Sequence, residues 1–245
     1  MTEWLEFFLH RVAYAAAGGG VALLVAYCVA RWAVGLSPLA RVWILRLSIV
    51  KLCIALAPIP AIALFHLPAQ PASGVVLAPT PYSPQLTWAL GMFFIIWLVG
   101  AGIEIVRIVV GWQGSQLARR TARTNTDMSI YRLCRDITYK LRLKHIPELV
   151  IHPAFASPGL LGGLKPVVVL PSSDYPAEQL SCAVAHELAH VKHRDLAWGW
   201  LVAIADVVFW FHPLLMLAKR EMLHWQEAAA DEVAARITRT PAASY

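Results

Sequence analysis

Charge is scarce in this sequence. Only 15% of its residues are Asp, Glu, Lys or Arg, against about a quarter in an ordinary soluble domain. With 58% hydrophobic residues and a mean hydropathy of +0.58, a single water-soluble globule is excluded. The apolar excess lies in blocks before residue 112 and again after residue 195, with a normally charged stretch between them. Several membrane spans joined to one soluble domain account for that pattern. Other absences narrow the reading. Cys28, Cys53, Cys134 and Cys182 form no CxxC pair, which argues against a disulfide framework and a cysteine-ligated metal. A basic leader is missing: MTEWLEFFLHRVAY is acidic before its apolar run, so the first block is expected to remain as a span. No internal repeat is visible, and the one biased tract is Pro/Ala-rich, at 68–84. The net charge of +6 comes without a basic helix or an aromatic-basic module, so no direct nucleic-acid partner is expected.

Three apolar blocks predict three N-terminal spans, from about Val12 to Ala30, Val42 to Leu67 and Thr87 to Ile103. Gly18–Gly20 and the Pro58/Pro60 pair are breakers that membrane helices tolerate when neighbours satisfy the backbone. Glu104 and Arg107 follow the third block at ion-pairing distance along a helix. Residues 31–51 carry Arg31, Arg41, Arg46 and Lys51 and no acidic residue, 68–86 carry no charge, and 107–123 are again basic. Positive loops stay in the cytoplasm, so the expected protein is multi-pass in the cell membrane. Its N-terminus is then outside and everything after about Trp112 begins inside. Trp32, Trp43, Trp88 and Trp112 near block ends suit interfacial positions. The expected division is a transmembrane domain at 1–112 and a cytoplasmic domain at 113–245.

Within the second part, Asp127–Leu143 places Ile130, Leu133, Cys134, Ile137 and Leu141 close to a 3.6-residue period, which predicts an amphipathic helix. Leu149–Ile151 and Pro166–Leu170 are short β-rich runs, and the second is expected to be an edge strand along which a peptide could add. Pro176–His193 predicts a helix capped by Ser173 or Asp174. The whole is expected to be mainly α, with an α+β domain holding a short sheet.

The chemistry lies in CAVAHELAHVKHRD, residues 182–195. His186 and His190 are one helical turn apart, so both imidazoles leave one face and can hold one zinc ion. Glu187 stands one step round, where it can take a proton from a water that the metal acidifies. This is the physical content of HExxH. Downstream, WQEAAADEV supplies Glu227 as a third ligand and Asp231, four residues on, as a carboxylate to orient a ligating histidine. With Glu232 beside them, the same residues could instead form an exposed acidic face. His193 is expected beside the metal site or in solvent. His224 or Arg220 could stabilise an oxyanion, against the alternative of ordinary surface charges. His10, His66, His145, His152 and His212 are read as structural or interfacial.

HELAHVKHRD, the apolar stretch with WFHPLL, the ExxxD run and SPGLLGGLKPVVVLP (Ser157–Pro171) together resemble the BlaR/MecR family of membrane metallopeptidases, which are gluzincins. The resemblance covers nearly the whole chain, most specifically 157–231. It implies one zinc ion per chain on His186, His190 and Glu227, with Glu187 as base and Asp231 behind a ligand. It assigns no clear role to Asp195. The sequence departs from the family at Ala230, where Cys is frequent, and at His212, where Asn is usual. Sensors of the family continue into a further span and an extracellular domain, whereas this sequence stops at Tyr245, so a truncated product or a member without its own sensor is expected. The implied function is a zinc endopeptidase that relays a signal by cleaving a cytoplasmic or membrane-near protein such as a transcriptional repressor. A separate sensor protein and the lipid bilayer are the other implied partners. An HtpX-type quality-control protease and a non-catalytic receptor with a structural zinc site are the alternatives. Leu196–Ala218 is long enough to cross a bilayer, yet a single crossing would carry Glu227 away from His190. A break at Phe211-His212-Pro213 is therefore expected, with both ends on one side.

Overall fold

A computed structural model describes residues 2–56, 84–163, 165–172 and 177–239. Among these residues, seven helices and a four-stranded sheet follow in the order α1 (Thr2–Trp32), α2 (Pro38–Ile54), α3 (Pro84–Thr121), β1 (Arg123–Thr124), α4 (Met128–Lys140), β2 (Glu148–Ile151), β3 (Gly159–Leu161), β4 (Val167–Leu170), α5 (Ala177–His193), α6 (Asp195–Phe209) and α7 (Pro213–Thr238). The protein is thus mainly helical with a small mixed sheet.

Among the described residues, two helices, over Trp4–Trp32 and Trp88–Thr121, are long and apolar enough to cross a membrane. The expected second span is not confirmed. Ser37 caps α2 and Pro38 starts it, but its 17 residues carry Arg41, Arg46 and Lys51. The rest of that block, from Ala57 to Leu67, lies outside the described residues, as do Pro58, Pro60, the 68–83 loop and the expected caps Ser173 and Asp174. The third block runs further than expected. One unbroken helix passes Ile103 and Trp112 to reach Thr121, and Glu104 and Arg107 pair on its surface at 3.1 Å.

Gly19 and Gly20 act as close-packing sites rather than breakers. A Cβ on Gly19 would overlap Leu52 of α2, and one on Gly20 would press on the His212 ring at 3.1 Å. Small residues at such crossings let backbones approach where lipid offers no hydrophobic drive to associate. Gly100 of α3 likewise accommodates Trp210. Trp97 then donates to the Val208 carbonyl at 2.9 Å, joining α3 to α6.

The sheet order is β1-β2-β4-β3, with β2 and β4 parallel and the outer pairs antiparallel. The VVVL run therefore does not form the expected edge. β4 is paired on both sides and buried at all four positions. A continuous apolar run is the mark of a strand covered on both faces. The edges are β1 and β3, the latter inside the SPGLLGG segment.

Two cores share α7. Ile130, Cys134, Ile137, Leu149, Val168, Val184, Leu188 and Val233 pack α4, the sheet, α5 and the second half of α7 together. Leu23, Leu45, Ile49, Leu52, Phe209, Leu215 and Met222 pack α1, α2, α6 and the first half of α7. The apolar stretch after residue 195 is two helices, as the position of Pro213 demands. α6 ends at Phe209, and α7 starts at Pro213 with the His212 side chain accepting from Leu215 N–H. His212 also meets the Ala16 carbonyl at 3.1 Å, so this ring fastens the turn to α1. The hairpin returns to its origin: Gln226 Nε2 on α7 donates to Asp195 Oδ1 at 3.4 Å at the start of α6.

Because α6 and α7 go out and back, cysteines placed at Lys192 and at His224 should react alike with an impermeant maleimide, in a background lacking the four native cysteines. Labelling of one position and protection of the other in intact cells would show a single crossing and dismantle the hairpin.

Candidate metal centre

The α5 helix brings the two histidines to one face, and its packing on α7 is made close by alanines. Ala185, Ala189, Ala229, Ala230 and Ala234 are all buried. Ala230, which departs from the resembled pattern, is fully buried in this contact. A small side chain is what the close approach requires there, and the approach carries Glu227 over the histidines.

His186 Nε2 and His190 Nε2 lie 3.1 Å apart. Glu227 Oε2 is 3.3 Å from His186 Nε2, and its Oε1 is 3.7 Å from His190 Nε2. A tetrahedral zinc with bonds near 2.0–2.1 Å separates neighbouring ligand atoms by about 3.3 Å. These three are the group of described residues whose ligand atoms could hold one metal ion. The other ring nitrogens are already engaged. His186 Nδ1 is 2.9 Å from Asp231 Oδ1, and His190 Nδ1 is 2.6 Å from Asp195 Oδ2. Each carboxylate accepts an Nδ1–H, which leaves both Nε2 lone pairs facing one point. Two lone pairs and a carboxylate so disposed repel one another unless a cation or a proton sits between them, so the donor set fits zinc.

Glu187 is buried, with 8% of its surface exposed. Burial pushes its carboxyl above the ordinary glutamate value, opposed by the neighbouring His186 and His190 and reinforced by Glu227. His190 is also raised: burial alone would lower it, but the hydrogen bond and charge of Asp195, with Glu227 and Glu187 nearby, outweigh that. His193 is lowered by burial and stays outside the three-residue group. Arg220 and His224 are exposed on α7, and His224 packs edge-on against Trp225. Neither has a polar contact with the cluster among the described residues.

The sequence alone gives Asp195 no clear role and presents Arg46 only as part of a basic stretch. Arg46 of α2 in fact pairs with Asp195 Oδ1 in the interior. A signal for Arg46 was present: it shares a helical face with Val42, Leu45, Ile49 and Leu52, all buried. A lone cation on an apolar face asks for a partner. Asp195 was harder to see, because its approach to His190 depends on Arg194 adopting a left-handed conformation, φ 56°, between α5 and α6.

A cleft of about 930 Å³ has His190 in its wall, while His186, Glu187 and Glu227 do not line it. Its other walls come from the segment 141–148, the start of β4 and the end of α5. Cations dominate it: Arg119, Arg142, Lys144, Lys165, Lys192 and Arg194, against Glu148 alone, which pairs with Arg119 at 2.7 Å.

Residues 66–245 match the BlaR1 peptidase M56 family. Among curated proteins, the chain is 23% identical over 144 residues to the regulatory protein BlaR1 of Bacillus licheniformis, covering 57% of this chain and 24% of that one. It is 23% identical over 155 residues to a methicillin resistance mecR1 protein of Staphylococcus aureus, covering 61% and 24%. Against the protease HtpX homolog 1 of Saccharolobus solfataricus it is 30% identical over 93 residues, covering 36% and 30%. The chain therefore spans about a quarter to a third of these relatives' lengths.

A histidine must be neutral to ligate a metal, so protons compete with zinc. Since His190 is raised in the folded chain, zinc affinity measured against a chelator should begin to fall while the pH is still above 6.5, the ordinary imidazole value. The Asp195→Asn variant removes the largest raising cause, leaving Glu227 and Glu187, and its decline should start at lower pH. Coincident pH profiles would show that Asp195 does not govern this ring.

Proposed function

The chain belongs to the BlaR1 peptidase M56 family, and from that membership we propose that it is a membrane-embedded zinc endopeptidase with a signalling role. Its substrate is a cytoplasmic or membrane-near regulatory protein, such as a transcriptional repressor, and its metal domain faces the cytoplasm. The observation that carries this reading is the convergence of His186 Nε2, His190 Nε2 and a Glu227 oxygen beside a buried Glu187.

His186, His190 and Glu227 would hold the zinc, which would supply Lewis-acid chemistry towards a carbonyl and a water. The protein's own groups do the rest. Glu187, raised by burial, is suited to take a proton from the attacking water and to pass it to the leaving amine. Asp231 and Asp195 hold the two imidazoles in orientation through Nδ1. The cationic cleft beside His190 is where a peptide flanking the scissile bond would lie, and its charge favours acidic side chains. β4 is not available to pair with that peptide, being flanked on both sides, so any added strand must use β3 or β1. A structural zinc site needs no buried glutamate beside its ligands, which argues against the receptor reading. The HtpX-type reading keeps the same chemistry and differs in accepting unfolded membrane proteins broadly.

Purified chain should carry about one zinc, and His186→Ala or His190→Ala should lose it. Glu187→Gln should retain the metal while peptide cleavage falls by about 10²–10⁴-fold, the usual worth of a positioned base. A Glu187→Gln variant that cleaves at the parent rate would remove the mechanism.

A further inference from the structure

Arg46 comes from a different part of the fold than the metal ligands, yet its guanidinium ends one residue away from them. It is one of the most buried side chains in the molecule, at 1% exposure. Its Nη2 pairs with Asp195 Oδ1, and its Nη1 donates to the His193 carbonyl at 3.1 Å. The rings of Trp43 and Trp198 close over it at 5.5 and 5.2 Å. The other Asp195 oxygen is the one that meets His190 Nδ1 at 2.6 Å. Gln226, beside Glu227 on α7, adds a contact to Asp195 Oδ1.

We propose that Arg46 is a positioning residue of the metal centre, acting through Asp195 on His190, so that α2 sets the affinity of the site for zinc. This rests on reading His186, His190 and Glu227 as zinc ligands. Stability is a poor explanation of the arrangement. Two ions are taken out of water, and well-packed apolar residues of similar size often serve as well or better. What apolar residues cannot do is fix a carboxylate so that its far oxygen holds an imidazole. The guanidinium fork, fastened to the His193 carbonyl at the end of α5 and to Asp195 at the start of α6, locks the turn between them. α2 reaches the third ligand's helix as well, since Arg41 lies over the Trp225 ring at 4.2 Å, two residues before Glu227. A shift of α2 against α5 would therefore disturb the elements carrying both kinds of ligand.

The test is zinc affinity of the full chain in detergent, by chelator competition, together with the visible spectrum of the cobalt-substituted protein. Arg46→Met should weaken zinc by about 10–100-fold, the usual effect of losing a group behind a ligand, and should alter the cobalt spectrum. Arg46→Lys keeps the charge but not the fork, and should fall between parent and Arg46→Met. Combining Arg46→Met with Asp195→Asn should cost no more than the worse single change, because both act along one chain. Lys219→Met is the control, as it breaks another partly buried ion pair, with Asp206, that includes none of the ligands. It should lower the melting temperature and leave zinc affinity and spectrum unchanged. If Arg46→Met does not fold, Arg46→Lys decides. Parent-like affinity and spectrum in the Arg46 variants, at any melting temperature, would overturn the proposal while leaving a cleaving parent enzyme intact. Weakened zinc in a parent chain that cleaves no peptide would keep Arg46 in this role and remove the peptidase reading. A parent chain that takes up no zinc overturns both.

Discussion

Glu227 has to reach His186 and His190, although a stretch long enough to cross a bilayer lies between them in the chain. The rest of the architecture follows from that requirement. The stretch cannot be one helix, so it folds into the α6–α7 hairpin, with Pro213 ending one helix and starting the next. The hairpin must be held at its far end, and His212 does so by capping α7 and bonding the Ala16 carbonyl of α1. It must also be packed along its length, which is why α7 contributes Leu215 and Met222 to one core and Ala230 and Val233 to the other. A helix shared by two cores transmits position rigidly, and Glu227 sits near its middle.

The basic residues of α2 show how one residue type can be read in two ways. In the sequence, Arg41, Arg46 and Lys51 look like a positive loop of the kind that orients a membrane protein, yet they stand on a helix. Each also has a specific partner. Arg41 binds the Ala30 and Ala33 carbonyls left open at the end of α1. Lys51 donates to the Gly18 carbonyl at 3.1 Å. Arg46 holds Asp195. Arg41 and Lys51 thus fasten α2 to α1, while Arg46 joins α2 to the turn behind the metal centre.

Much of the centre was legible because helical spacing is local. His186 and His190 share a face by period alone, and Glu227 with Asp231 does the same two helices later. Asp231 meeting His186 Nδ1 follows from that spacing once the two helices pack. The amphipathic helix after Asp127 was equally open, since its apolar positions repeat at 3.6 residues. The strand VVVL was visible as a strand, but its place in the sheet was not. Burial on both faces and exposure at an edge differ only in what pairs beside it, and a four-residue run says nothing of its neighbours. β3, three residues long inside a Gly-rich turn, carried too short a pattern to register.

The sequence by itself determined which side chains could ligate, which could act as base, and that the apolar stretch before Glu227 must break, because each of these depends on spacing along one helix or on proline's missing N–H. Only the tertiary structure decided that Asp195 and Arg46 stand behind His190. Arg46 is far from Asp195 in the chain, and Asp195 turns towards His190 through the single left-handed residue Arg194. Neither contact has a period or a spacing to betray it. A long-range ion pair is set by how α2 packs against the α5–α6 turn, and that packing is a property of the assembled helices rather than of any segment read alone.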